Sequence, residues 1–147
     1  MTIDITIGKI KTLTFDEFIK QQLDEYNFTF KRTINVMDLL RIEQCPDEPD
    51  GCTSDDTSHP NEAYRSGSIF AISEFMREVL GDVLSDKLRP VHTNDPQITL
   101  LKPFINDINK IVYIGKEKMH HQRLHWLKFW CNRAIELYGN DAVIQFS

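Results

Sequence analysis

Cysteine is scarce in this chain, with three among 147 residues. An odd count cannot close into a full disulfide framework, and it fits a reducing compartment. Long apolar runs are missing too. Nothing in the sequence approaches the roughly 18 residues that a membrane-spanning helix needs. The opening MTIDITIGKI lacks the basic region and apolar run of a secretion signal, so a cytoplasmic location is expected. The six glycines stand apart from one another, which excludes a glycine-rich loop that cradles phosphate. Basic residues are outnumbered, 17 Lys and Arg against 22 Asp and Glu, for a formal net charge of -5. That balance disfavours general binding to nucleic acid or an anionic membrane, both of which need a basic surface. It suits a basic protein partner.

What is present supports an ordinary core. Hydrophobic residues make up 41% and charged residues 27%, and the length suits a single domain over residues 1–147. The segment 118–147 organises the rest. Leu124, Leu127, Cys131, Ala134 and Tyr138 recur at helical spacing. Trp126, Phe129, Trp130, Ile135 and Leu137 widen that stripe until little of the middle is polar. A helix apolar on most sides is buried on most sides. Gly139 is the expected stop, because glycine adopts the left-handed conformation that ends helices. Asn140 and Asp141 then make a turn, and residues 142–146 read as a short apolar strand.

At the other end, residues 2–10 alternate, with Ile3, Ile5 and Ile7 on one side and Thr2, Asp4 and Thr6 on the other. This is a strand with one buried face. Thr14 and Glu17 fit a capping box for a helix over 15–26. Residues 27–34 read as a second strand. Residues 36–44 read as a short helix, since Val36, Leu39 and Leu40 suit one better than an edge strand. Ser66 or Ser68 caps a helix whose apolar face is Ile69, Ile72, Phe75, Met76, Val79 and Leu80, closed by Gly81. Residues 82–88 add a turn, and Arg89-Pro90 breaks it. Asp95-Pro96 starts a further helix, in which Ile98, Leu101, Ile105, Ile108, Ile111 and Val112 keep helical spacing. Pro103 implies a later start or a kink, and Gly115 is the expected end. There is no internal repeat. The order of elements is not the strict alternation of a doubly wound sheet. The expected class is α+β: a small antiparallel sheet packed against a layer of three to five helices, with the last strand pairing residues 3–7.

Candidate chemistry is thin. His121 and His125 lie four apart, so a helix stacks them as in a zinc pair. The metalloprotease pattern, however, needs Glu after the first His, and Gln122 stands there. Two histidines also leave a metal under-coordinated, so a metal-dependent hydrolase on His121 and His125 is the alternative rather than the first reading. Cys45, Cys52 and His59 lack zinc-ribbon spacing, and the nearby carboxylates lack the calcium-loop pattern. Cys131 falls between aromatics in mid-helix, where burial opposes reactivity. Ser66 and Ser68 lack the glycines of a nucleophile elbow. Trp126 and Trp130 read as core. Nothing here calls for a cofactor or a catalytic set.

The most informative polar feature is the irregular segment 45–61, CPDEPDGCTSDDTSHPN. Its prolines, glycine and carboxylates exclude a packed element, so an exposed loop is expected. Asp47, Glu48, Asp50, Asp55 and Asp56 carry no compensating Lys or Arg. Such a patch attracts a basic partner and speeds encounter; the plainer reading is a solvated loop.

The pattern W-L-K-F-W-x-N-R-A-x-x-x-Y-G from Trp126 to Gly139, followed by AVIQF, resembles the end of small bacterial immunity proteins. So does YRSGSIFAISEFMREVLG from Tyr64 to Gly81. These proteins accompany polymorphic toxins, including contact-dependent growth-inhibition systems. The resemblance implies a non-enzymatic cytosolic protein that binds and neutralises a cognate toxin domain, often a nuclease. Contact residues vary among such proteins, so none is carried over. The five carboxylates remain the candidate contact surface on their own chemistry. A protein-interaction adaptor with a partner other than a toxin is the remaining alternative.

Overall fold

The computed structural model describes residues 1–12, 40–46, 62–89 and 98–147. The sheet is built on β1, Thr2–Thr12. One edge of β1 takes two antiparallel partners in succession. β3 (Tyr64–Ser68) pairs with its first half, Thr2↔Ser68 to Thr6↔Tyr64. β2 (Leu40–Gln44) pairs with its second half, Gly8↔Gln44 to Thr12↔Leu40. The opposite edge takes β5 (Ala142–Phe146), with Ile5 opposite Phe146 and Ile7 opposite Ile144. β4 (Ile98–Leu100) then closes on β5. The result is an antiparallel five-stranded sheet in the order β2-β1-β5-β4, with β3 beside β1.

The expected alternation in β1 holds: Ile3, Ile5 and Ile7 are buried. Their neighbours in space are apolar residues of β5 and of the long helix. The last strand pairs with β1 as expected, but with Ile5–Lys9 rather than residues 3–7, and the chain is α+β. Gly8 is needed at a close approach, since a Cβ there would meet the Glu43 carbonyl oxygen of β2 at 1.8 Å.

The helical layer begins directly after β3. Ser68 caps α1 (Ile69–Phe75), its hydroxyl accepting from the Ala71 amide at 3.1 Å. The helix then widens into a π turn, Met76–Leu80. The Gly81 amide donates to the Met76 carbonyl, five residues back, at 3.0 Å, and the Ser85 hydroxyl donates to the same carbonyl at 2.9 Å. Gly81 has φ +82, a conformation that favours glycine. Then come α2 (Asp82–Leu88), a 3-10 turn Lys102–Phe104, and α3 (Ile105–Lys110). α4, Lys118–Tyr138, is the expected long helix. Its Leu124, Trp126, Leu127, Trp130, Cys131 and Ala134 are buried, but the helix is not buried on most sides as expected: His121, His125, Asn132 and Glu136 form a solvent face, and Leu137 is exposed. Gly139 follows with φ +57.

Three further expectations require correction, and one stretch with no expected element is strand. Residues 40–44 belong to strand β2 and not to a helix, because the second half of β1 offers them a ladder. Residues 64–68 are also strand. The sequence YRSGS is polar and carries a glycine, and it gains its backbone partners from the first half of β1. The helix expected over 98–112 is divided, with residues 98–100 pairing to β5. Pro103 lies in the 3-10 turn, and regular helix starts only at Ile105. That helix stops at Lys110, before Gly115. Finally, Cys45 is not part of an exposed loop. It is 1% exposed, and its amide donates to the Ile7 carbonyl at 2.9 Å. The helix expected over 15–26 and the strand expected over 27–34 lie outside the described residues.

Candidate functional site

The carboxylates Asp47, Glu48, Asp50, Asp55 and Asp56 lie outside the described residues, as do Cys52 and His59. The residues that flank this acidic segment are described. Ile7 holds both sides, since its carbonyl accepts from Cys45 and its amide donates to the Ala63 carbonyl, each at 2.9 Å. The Trp126 indole adds a second hold, donating to the Glu62 carbonyl at 3.0 Å. Residues 45 and 63 are therefore tied to one residue of the central strand. A packed core thus fixes where the acidic segment leaves and returns.

One stretch of the described surface, Ile69–Leu88, repeats that sign, although the described residues as a whole hold 14 Lys and Arg against 11 Asp and Glu. Glu74, Glu78, Asp82 and Asp86 recur at four-residue intervals through α1, the π turn and α2, and all are exposed. Over Ile69–Leu88 they face two exposed cations, Arg77 and Lys87. Four residues before Glu74 stands Phe70, 83% exposed. It lines an apolar groove of about 690 Å³ with Met1, Ser68, Ile69 and Ser73. The Ile69 amide donates to the Met1 carbonyl at 3.2 Å, which fixes this wall to β1. Gly81, at φ +82, separates Asp82 and Asp86 from the helix that carries Phe70 and Glu74. An exposed aromatic with exposed carboxylates on the same stretch offers both an apolar anchor and long-range attraction to a basic surface.

The second cluster is more buried. His120, in the first turn of α4, is 3% exposed. Its ring lies between Phe75, with centroids 5.9 Å apart, and Tyr113, 5.4 Å away and edge-on. Nε2 lies 3.0 Å from a carboxylate oxygen of Glu78. Nδ1 is buried and has no hydrogen-bond partner among the described residues. The other oxygen of Glu78 is 3.7 Å from the Arg77 guanidinium. Glu74 approaches from one turn earlier. Among the described residues, Glu74, Glu78 and His120 are the one group of His, Cys, Asp or Glu whose ligand atoms all lie within 4.8 Å. Arg123 stands one turn along α4 from His120. Burial lowers its pKa, against the opposing pull of Glu117 and Glu74.

The histidine pair singled out from the sequence is placed differently. His121 is exposed, with Nε2 2.7 Å from the Gly115 carbonyl oxygen and its ring against Tyr113. His125 lines a shallow groove of about 410 Å³ with Asn109, Lys128, Phe129, Asn132, Arg133 and Glu136. No described third ligand joins the two.

No known protein family, curated protein or solved structure matches the chain.

Cys131 is fully buried, and burial pushes its thiol well above the ordinary range, first by desolvation and then through nearby Cys45. It is a packing residue. Trp126 and Trp130 are likewise core, and Ser68 is a helix cap. No described helix is long and apolar enough to cross a membrane.

The sequence carries a signal for the burial of His120. It lies four residues before Leu124 on the stripe of Leu124, Leu127, Cys131 and Ala134. Extending the stripe back one turn puts His120 on the buried side. The carboxylate row is equally visible as a four-residue repeat.

Proposed function

We propose that the chain is an immunity protein: a non-enzymatic inhibitor that binds and neutralises a cognate toxin domain through an acidic surface. The observation that carries this reading is exposed Phe70 at the head of the exposed carboxylates Glu74, Glu78, Asp82 and Asp86. A nuclease must present Lys and Arg to its nucleic acid. A negative surface competes for that same face, and it steers encounter over a Debye length of about 8 Å at physiological salt. Phe70 supplies what charge lacks, an apolar anchor that is desolvated on contact. Asp47, Glu48, Asp50, Asp55 and Asp56, outside the described residues, remain further candidate contacts on charge grounds alone. The toxin-neutralising part of the reading rests on the resemblance of 64–81 and 126–146 to immunity proteins. The cytoplasm is the expected compartment for such an inhibitor.

The test is binding to the toxin domain encoded beside this protein, measured by calorimetry at two salt concentrations. Phe70→Ala should weaken binding by about thirtyfold, the 2 kcal/mol of an aromatic anchor. Replacing Asp47, Glu48, Asp50, Asp55 and Asp56 by Asn or Gln should slow association by about tenfold at low salt and flatten the salt dependence. Asp82→Asn with Asp86→Asn should act in the same direction. Tight binding that ignores all three sets of changes would remove this surface from the account. Failure to bind the toxin, with capture of a different partner by the same surface, would favour an adaptor.

A further inference from the structure

We infer that Glu74, Glu78 and His120 form a binding site for a divalent transition-metal cation, with zinc the best match. The donors converge from elements far apart in sequence. Glu74 comes from α1, Glu78 from the π turn, and His120 from the first turn of α4. Their ligand atoms all lie within 4.8 Å of one another, so the two exposed glutamates need close only slightly to reach a zinc ion at about 2.0–2.2 Å. Two like charges one helical turn apart repel each other. Arg77 offers Glu78 only a solvated contact at 3.7 Å, which offsets little of that repulsion. A dication between the carboxylates removes it.

The backbone supports the same assignment. π turns are rare and concentrate at functional sites, because the extra residue re-aims side chains. This one contains Glu78, and its closing carbonyl is secured twice, by Gly81 and by Ser85. His120 is held rigidly between Phe75 and Tyr113, with Nε2 turned to the carboxylates. One wall of the site is therefore dry and fixed, while Glu74 and Glu78 remain exposed and leave a path for entry.

The donor set selects the metal. Magnesium and calcium prefer all-oxygen shells. One imidazole with two carboxylates suits zinc, then manganese or iron. Three protein ligands leave a position for water on the exposed side. Binding replaces the Nε2–Glu78 hydrogen bond with two bonds to the cation and ties the start of α4 to the π turn. This inference does not depend on the toxin-binding reading, and its test uses the metal alone.

The experiment is calorimetric titration of the chelator-treated full chain with zinc chloride, with magnesium chloride as the comparison. One zinc per chain is expected, with little response to magnesium. Glu74→Gln and Glu78→Gln should each weaken zinc by more than about tenfold. Both side chains are exposed, so far-UV circular dichroism should stay unchanged. His121→Ala and His125→Ala should leave zinc affinity intact. Absence of zinc binding overturns the assignment. So does affinity that survives both glutamate changes, or that disappears with His121 or His125.

Discussion

Replacing Trp126 with Phe would test how the acidic segment is joined to the core. The indole is 1% exposed, and its Nε1–H donates to the Glu62 carbonyl at 3.0 Å. Ala63, the next residue, is fully buried and bonded to Ile7. Phe keeps one ring and drops the donor. The lost hydrogen bond is worth about 1 kcal/mol, and the carbonyl left without it adds to that. Loss of the second ring leaves a void in a packed core, so the total is about 2–3 kcal/mol. Trp126→Ala should lose about 3–5 kcal/mol, a large part of the roughly 5–15 kcal/mol that holds a domain together. Urea unfolding followed by far-UV circular dichroism measures both. Fluorescence is unsuitable, since the chain has two tryptophans and the change removes one. With a slope of about 2 kcal/mol per molar urea, Trp126→Phe should lower the midpoint by about 1–1.5 M. Exposed His125, one residue earlier, is the control, and His125→Ala should stay within about 0.5 kcal/mol. If Trp126→Phe shifts the midpoint no more than His125→Ala, the bond to Glu62 contributes nothing and the proposed anchoring is wrong.

Two further outcomes follow from the same geometry. Gly8→Ala would drive a methyl group into the Glu43 backbone, and the strand must give way, so a loss of about 3 kcal/mol is expected in the same unfolding assay; a neutral change would contradict the β1–β2 register. Cys131 should resist iodoacetamide in the folded protein and react only on unfolding, because burial keeps its thiol protonated and inaccessible; rapid labelling of Cys131 under native conditions, read by mass spectrometry, would contradict its burial.

The proposed inhibitor surface and the proposed metal site share Glu74 and Glu78 but make separable demands. Phe70, Asp82 and Asp86 serve only the first, and His120 only the second. A zinc ion would also make the net charge of that face less negative. Toxin affinity that falls when zinc is added would therefore link the two sites.

Much of this protein was decided locally. Ile3, Ile5 and Ile7 alternate and so become one buried face of β1. Residues 118–138 carry the stripe Leu124, Leu127, Cys131 and Ala134 and so form a helix buried along that side, while Lys118, His121, His125, Asn132 and Glu136 face solvent. Gly81 and Gly139 stop helices at positive φ, and Ser68 caps one. Each of these follows from the geometry of a few neighbouring residues. The remaining strands did not follow, because a strand's partner is remote in sequence. Residues 40–44, 64–68 and 98–100 are short windows with weak patterns of their own. They became strands because β1 and β5 had open edges to offer them. The histidines obey the same division. Successive helical residues differ by about 100° in direction, so the sequence guaranteed that His120 and His121 point apart. The stripe through Leu124 and Leu127 already turns His120 inward; only the tertiary packing decided that Glu78 would be there to meet it.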